Sequence, residues 1–160
     1  MSQPILAGAQ IGHVHLKVSD LARSESFYED VLGFTTTMRG DGLVFMSFGG
    51  YHHHLALNST MSEGREPPPE DRPGLLHFAI LYPDHRTFVA AVRRAADRGA
   101  VFHRASDYGY SVAAYTKDPD GIEIELARDR AREEWPRDAS GELLRTPERI
   151  TLKEALERSH

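Results

Sequence analysis

The chain has 160 residues and a formal net charge of −5, and 40% of its residues are hydrophobic. This length suits one domain or two small fused modules. The acidic balance, with arginines mixed among aspartates and glutamates, argues against a nucleic-acid partner. The sequence contains no run of about 18 apolar residues, so no membrane span is predicted. The opening MSQPILAGAQ shows no signal-peptide pattern. Because there is no cysteine, any transition metal must be held by His, Asp or Glu, and we expect a cytoplasmic protein.

A strand and a helix open the chain. Residues 11–18 alternate and are rich in β-forming residues, which predicts a strand. Residues 19–34 predict a helix that Ser19 or Asp20 caps and that Gly33 ends. Short strands separated by glycine-containing turns are then expected at 34–39, 42–48 and 51–58. Together these elements define a first module over residues 10–58.

The same pattern restarts after a Pro-rich linker at 59–73. A second module over 74–128 is predicted to contain a strand at 75–82, an amphipathic helix at 84–100, and strands at 101–106, 111–117 and 122–128. This repeat of a βαβββ unit predicts an α+β fold. The remaining residues, 129–160, form a charged tail with a short helix. The tail either docks on the protein body or a neighbouring subunit, or extends into solvent.

Three side chains stand out on the predicted strands. His13 and His77 occupy equivalent places in the first strand of each module. Glu125 lies in the last strand, after the turn DPDG, and shares a face with Glu123 because side chains two residues apart point the same way. An acidic side chain inside a concave sheet needs a partner, and a cation is an efficient one. Two imidazoles and one carboxylate form a facial triad that leaves open positions on Fe(II).

Three segments also carry a family resemblance: IGHVHLKVSDLARSESFYEDVLGF, LLHFAILYP and YTKDPDGIEIEL. They are similar to the vicinal-oxygen-chelate superfamily, which includes glyoxalase I, fosfomycin- and bleomycin-resistance proteins and extradiol dioxygenases. The resemblance covers residues 10–135 and implies two βαβββ modules whose curved mixed sheets surround a metal-containing cup, with the helices outside. It places the metal ligands at His13, His77 and Glu125 and implies Fe(II), with Mn, Zn or Ni as alternatives. We also expect a homodimer.

Further segments resemble single-pair catechol 2,3-dioxygenase-like proteins: YHHHLALN, the Pro-rich linker, GLLHFAILYP and REEWPRD. This resemblance implies an extradiol dioxygenase that acts on a small aromatic diol and O2. It puts the pocket histidine at His53 and the pocket tyrosine at Tyr115. L-DOPA is one candidate diol, and its charged side chain would need a partner such as Glu123, Arg104 or Lys117.

One departure from this family concerns Tyr108. Relatives usually carry a histidine in a Ser-Asp-His-Gly stretch, whereas this chain reads SDYGYS. A tyrosine with its usual pKa of about 10 is a poor proton acceptor near neutral pH. Either the usual catechol substrate or the usual proton relay is therefore in question.

Several assignments stay open. A register slip of one residue would give the role of His53 to His52 or His54. His15 shares a face with His13 and is either a pocket residue or a packed neighbour. The candidate catalytic residues are therefore His53, Tyr115, Tyr108, His54 and His15.

Two other classes compete with the dioxygenase. A glyoxalase-like isomerase or thiol transferase would use Zn, Ni or Mn, but such enzymes usually take a further Glu ligand from the fourth strand, which here reads HHHLALN. A non-catalytic drug-binding module needs no metal ligands, so the complete triad disfavours it.

Overall fold

The computed structural model describes residues 8–69 and 71–159. Asp20 caps the first helix by accepting a hydrogen bond from the Arg23 amide, and Gly33 ends it at a φ of 82°, where a side chain would be strained. The first module contains strand β1 (Val14–Lys17), helix α1 (Leu21–Ser26), which continues as a π-helical turn (Phe27–Val31), and strands β2 (Thr35–Gly40), β3 (Leu43–Ser47) and β4 (Leu55–Asn58).

The second module repeats this order. Asp84 caps its helix by accepting from the Thr87 amide, as expected of an Asp at this position. The elements are β5 (His77–Tyr82), α2 (His85–Asp97), β6 (Arg104–Asp107), β7 (Ser111–Lys117) and β8 (Glu123–Asp129), followed in the tail by a 3-10 turn (Arg132–Glu134), β9 (Glu148–Ile150) and α3 (Leu152–Glu157).

The strands form two separate sheets, with the orders β1-β4-β3-β2 and β5-β8-β7-β6-β9. The pairs β1/β4 and β5/β8 are parallel and the others antiparallel. β1 and β5 are the first strands of the two modules, and each therefore lies at an edge of its sheet.

Each sheet has one apolar face and one face that carries the candidate ligands. The alternation of strand residues separates them: in β5, Ile80 is buried and the neighbouring Leu81 is 60% exposed. The helices pack on the apolar faces, and the buried residues of both modules form one core, which includes Met46, Phe88 and Ile124. The two modules therefore share a core through their helix-bearing faces.

Polar contacts also join the modules on this side. The Tyr28 hydroxyl donates to Asp118 at 3.0 Å, and the Ser19 amide donates to Asp120 at 2.9 Å. Arg94 of α2 donates to backbone carbonyls at the end of the first helix. The faces that carry the histidines consequently point away from the shared core.

The α+β class predicted from the repeat and the mixed sheets implied by the family resemblance are confirmed. The sequence did not predict β9, which joins the second sheet beside β6. Asp107 anchors the tail there, because it accepts from Arg130 and Arg158, each at 2.7 Å. Among the residues that the structure describes, no helix has the length and apolar character needed to cross a membrane.

Candidate metal centre

His77 and Glu125 lie side by side on the open face of the second sheet. In the parallel pair β5/β8, His77 is opposite Glu123 and Ala79 opposite Glu125. The imidazole Nε2 of His77 is 3.0 Å from Oε2 of Glu125. Two donor atoms bound to one cation at about 2.1 Å, at a right angle, are also about 3.0 Å apart. The pair therefore fits two adjacent positions on a divalent metal.

A second carboxylate, Glu123, lies on the other side of the His77 ring. Its Oε2 is 3.4 Å from His77 Nδ1, but that nitrogen is buried and makes no hydrogen bond. Glu123 is held instead by His103, whose Nε2 is 2.9 Å from Oε1, and by Arg104, which donates to Oε2 at 3.0 Å. Its carboxylate thus forms an ion pair with the Arg104 guanidinium.

Two tyrosines pack beside this pair. Tyr115 is opposite Glu125 in the pair β7/β8, and its hydroxyl lies 2.8 Å from that of Tyr108. The Arg104 guanidinium stacks 3.5 Å above the Tyr115 ring and donates to the Tyr108 hydroxyl at 3.3 Å. Burial, followed by the hydrogen bond with Tyr108 and the charge of Glu125, raises the pKa of Tyr115 well above its usual value. Tyr115 therefore keeps its proton at neutral pH.

His13 belongs to a group on the open face of the first sheet. Its ring centroid is 4.5 Å from that of His53, which stacks on Phe45 at 4.0 Å. His52 Nδ1 approaches His53 Nδ1 to 2.6 Å. Burial lowers the pKa of His53, and the neighbouring imidazoles, His13 first, lower it further. The neutral ring is therefore favoured.

The other two candidate histidines have different surroundings. His54 is 3.0 Å from the Ser47 hydroxyl and stacks on Phe48 at 3.9 Å, so it makes its contacts away from His13. His15 is exposed, and its ring centroid lies 6.4 Å from that of His13. Of the three neighbouring histidines 52–54, the structure thus places His53 against His13.

The two groups of candidate ligands lie on different sheets. Among residues 8–69 and 71–159, no group of three or more His, Asp or Glu side chains is arranged to hold a metal ion. His77 and Glu125 meet, whereas His13 groups with His53. The convergence of the three ligands that the sequence predicted does not occur within one chain, which instead presents two incomplete halves.

Sequence reasoning did not select Phe45 or His103 as site residues. Phe45 meets His53 only because β3 lies between β4 and β2, an order that no local pattern specifies. His103 precedes β6, and its amide pairs with the Tyr115 carbonyl. A correct register for the β6–β7–β8 meander would have placed Arg104, Tyr115 and Glu125 in one row.

Two βαβββ modules, with a histidine at the first strand of each and a carboxylate on the last, define a paired-module protein with a candidate metal centre. A family model, the Glyoxalase/Bleomycin resistance protein/Dioxygenase superfamily, matches residues 10–126. The chain belongs to this superfamily.

Its curated relatives include dioxygenases and lyases. Catechol-2,3-dioxygenase of Bacillus subtilis is 34% identical over 148 residues, which cover 92% of this chain and 51% of that protein. Biphenyl-2,3-diol 1,2-dioxygenase 3 of Rhodococcus globerulus is 27% identical over 123 residues, which cover 75% and 63%. Lactoylglutathione lyase of Haemophilus influenzae is 31% identical over 130 residues, which cover 76% and 94%. The chain thus spans about half of the first relative, under two thirds of the second and nearly all of the third.

Solved structures show the same fold. A glyoxylase/bleomycin resistance protein/dioxygenase domain from Frankia sp. has a TM-score of 0.66 at 24% identity, covering 78% of this chain and 94% of that chain. A glyoxalase/bleomycin resistance protein/dioxygenase from Alicyclobacillus acidocaldarius has a TM-score of 0.62 at 19% identity, covering 79% and 96%.

Proposed function

We propose that the protein is an extradiol ring-cleaving dioxygenase that uses Fe(II) and O2 on a catechol-type diol. The observation that carries the proposal is the His77–Glu125 pair, 3.0 Å apart on an open sheet face, with His13 at the equivalent place in the first module. The catechol and biphenyl-diol dioxygenases among the relatives support this reaction class. Catechol or a substituted catechol such as L-DOPA is the proposed substrate. A cytoplasmic location stays a prediction from the sequence.

The metal would be held by His77 and Glu125 of one copy and by His13 of a second copy. One chain turns both ligand faces away from its shared core, so neither half completes the other. In a homodimer with a two-fold axis, the first module of each copy would face the second module of its partner and form two identical sites. Fe(II) bound there would supply open positions for the two diol oxygens and O2.

The exposed strand edges favour this pairing. β1 and β5 are both edge strands. Apolar side chains beside them are unusually exposed: Ile11 by 91%, Leu76 by 78% and Leu81 by 60%. An open edge flanked by apolar side chains is a template for pairing with another chain. A second copy would cover both edges at once by placing β1 beside the partner's β5.

The residues around the two halves suggest distinct roles. His53, which lies beside His13, is proposed to exchange a proton with the diol and its product as a general acid–base group. Tyr115, which lies beside Glu125, is proposed to donate a hydrogen bond to a diol oxygen. Arg104 is already bonded to Glu123, so a charged substituent such as that of L-DOPA would have to compete for it.

A glyoxalase-like isomerase is the second candidate. The lactoylglutathione lyase match, which covers 94% of that protein, favours it. Against it, β4 (Leu55–Asn58) contains no Asp or Glu, so this strand offers no carboxylate as a further ligand.

Metal analysis together with an O2 electrode separates the candidates. We expect the purified protein to contain iron and to take up O2 with catechol or L-DOPA, and Glu125→Ala to lose both the metal and the uptake. The matched control is Glu157→Ala on the exposed face of α3, which should lose neither. Zinc or nickel without O2 uptake would favour the isomerase, and a protein that binds no metal would favour a binding module.

A further inference from the structure

Glu123 is not one of the proposed ligands, yet it is firmly held on the ligand-bearing face of the second sheet. Its side chain is only 16% exposed. His103 approaches one carboxylate oxygen to 2.9 Å, and Arg104 donates to the other at 3.0 Å. Two partners on one carboxylate remove most of its rotational freedom, so its position relative to neighbouring side chains is well defined.

The side chain that Glu123 faces has an unsatisfied atom. His77 Nδ1 is buried without a hydrogen bond, and Glu123 Oε2 lies 3.4 Å from it. Buried polar atoms without a hydrogen-bond partner are rare in folded proteins, so this atom is expected to have a role. The opposite nitrogen of the same ring, Nε2, lies 3.0 Å from Oε2 of Glu125. The imidazole is thus bracketed by two carboxylates that approach different nitrogens.

We propose, on the basis of the metal centre proposed above, that Glu123 is a positioning residue. It accepts a hydrogen bond from the Nδ1–H of His77 and thereby presents the Nε2 lone pair to the metal. A histidine that binds a metal through one nitrogen commonly donates its other N–H to a carboxylate, which fixes the tautomer and the orientation of the ring. An approach of a few tenths of an ångström brings the 3.4 Å pair to hydrogen-bond length.

The contacts that hold Glu123 explain why the two glutamates on one face of β8 take different roles. Arg104 and His103 hold Glu123 beside Nδ1, on the side of the ring away from Glu125. Glu125 has no such ion pair with an arginine among the described residues and remains available at Nε2.

Cobalt binding tests the role through a conservative variant. Glu123→Gln keeps an acceptor oxygen, whereas Glu123→Ala removes it. In Co(II) titrations of the whole 160-residue chain, we expect Glu123→Ala to lose about 10- to 100-fold in affinity and Glu123→Gln to lose clearly less. Glu157→Ala is the matched control and should bind as the wild type does. Equal losses in the two Glu123 variants, or none in either, would overturn the proposal.

A readout on the metal-free protein keeps this test independent of the metal centre. In 15N NMR spectra we expect a proton on His77 Nδ1 in Glu125→Ala, where no carboxylate competes for the ring proton at Nε2, and its loss when Glu123→Ala is added to that variant. If the wild type binds no Co(II), the proposed function fails, while the Nδ1 signal still decides the role of Glu123. An unprotonated Nδ1 in Glu125→Ala would overturn the positioning role even if the wild type binds Co(II).

Discussion

Removal of one buried hydroxyl tests whether the modules pack through their helix-bearing faces. Tyr28 is fully buried and donates to Asp118 Oδ2 at 3.0 Å. Tyr28→Phe keeps the ring in the core but removes this donor, while the backbone amides of Asp120 and Ile122 still donate to Oδ1. A hydrogen bond to a charged group contributes about 1.5–3 kcal/mol. We expect the free energy of unfolding to fall by about that amount.

Urea unfolding at pH 7, followed by circular dichroism, measures this change. The control is Tyr82→Phe, because Tyr82 packs against the same core and its burial raises its pKa to about 12, but Asp118 is not its partner. This variant should stay within about 0.5 kcal/mol of the wild type.

The effect should also depend on pH. Burial raises the pKa of Asp118, and the hydrogen bond from Tyr28 opposes that rise because it favours the charged carboxylate. As the pH falls through this raised pKa, the carboxylate is protonated in both proteins, so the difference between wild type and Tyr28→Phe should shrink. A Tyr28→Phe protein as stable as the wild type at pH 7 would refute the proposed packing.

Three further perturbations follow from the same geometry. Asp107→Asn should lower stability by about 1–3 kcal/mol and expose the tail to proteolysis. Burial alone would raise the pKa of Asp107, but the Gly109 amide and two arginines outweigh it and lower this pKa. The stability that Asp107 contributes is therefore present above about pH 4 and is lost as the pH falls through the lowered pKa. Unchanged proteolysis of the tail in Asp107→Asn would contradict this role. His53→Ala should retain the metal but lose about 10²- to 10⁴-fold in turnover by O2 uptake, and a fully active variant would exclude the acid–base role. Chelation should abolish O2 uptake, and added Fe(II) should restore it; uptake that survives chelation would exclude the metal.

The sequence predicted the elements that depend on local signals. Helix α2, predicted at 84–100, spans His85–Asp97, because its apolar periodicity is strong and Asp84 caps it. Strand alternation likewise predicted that Glu123 and Glu125 share a face. β9 was missed because Glu148–Ile150 is too short to show a period, and it is a strand only through its pairing with β6.

The arrangement of the site could not be predicted in the same way. Each module's sequence specifies an apolar face and a polar face, but not which apolar faces will meet. In the structure, both helix-bearing faces pack into one core that contains Tyr28 and Phe88, and this separates His13 from His77. The choice between a site within one chain and a site between two chains depends on these long-range contacts, which leave no periodic signal in either module.

A mixture of two inactive variants tests the shared site most directly. His13→Ala and Glu125→Ala are each expected to bind no metal as homodimers. If sites form between copies, a mixed dimer regains one intact site, because one copy supplies His13 and the other supplies His77 and Glu125. With random pairing, about half of the dimers are mixed, so the metal content per chain should recover to roughly a quarter of the wild-type value. No recovery in a mixture shown to contain mixed dimers would contradict the account.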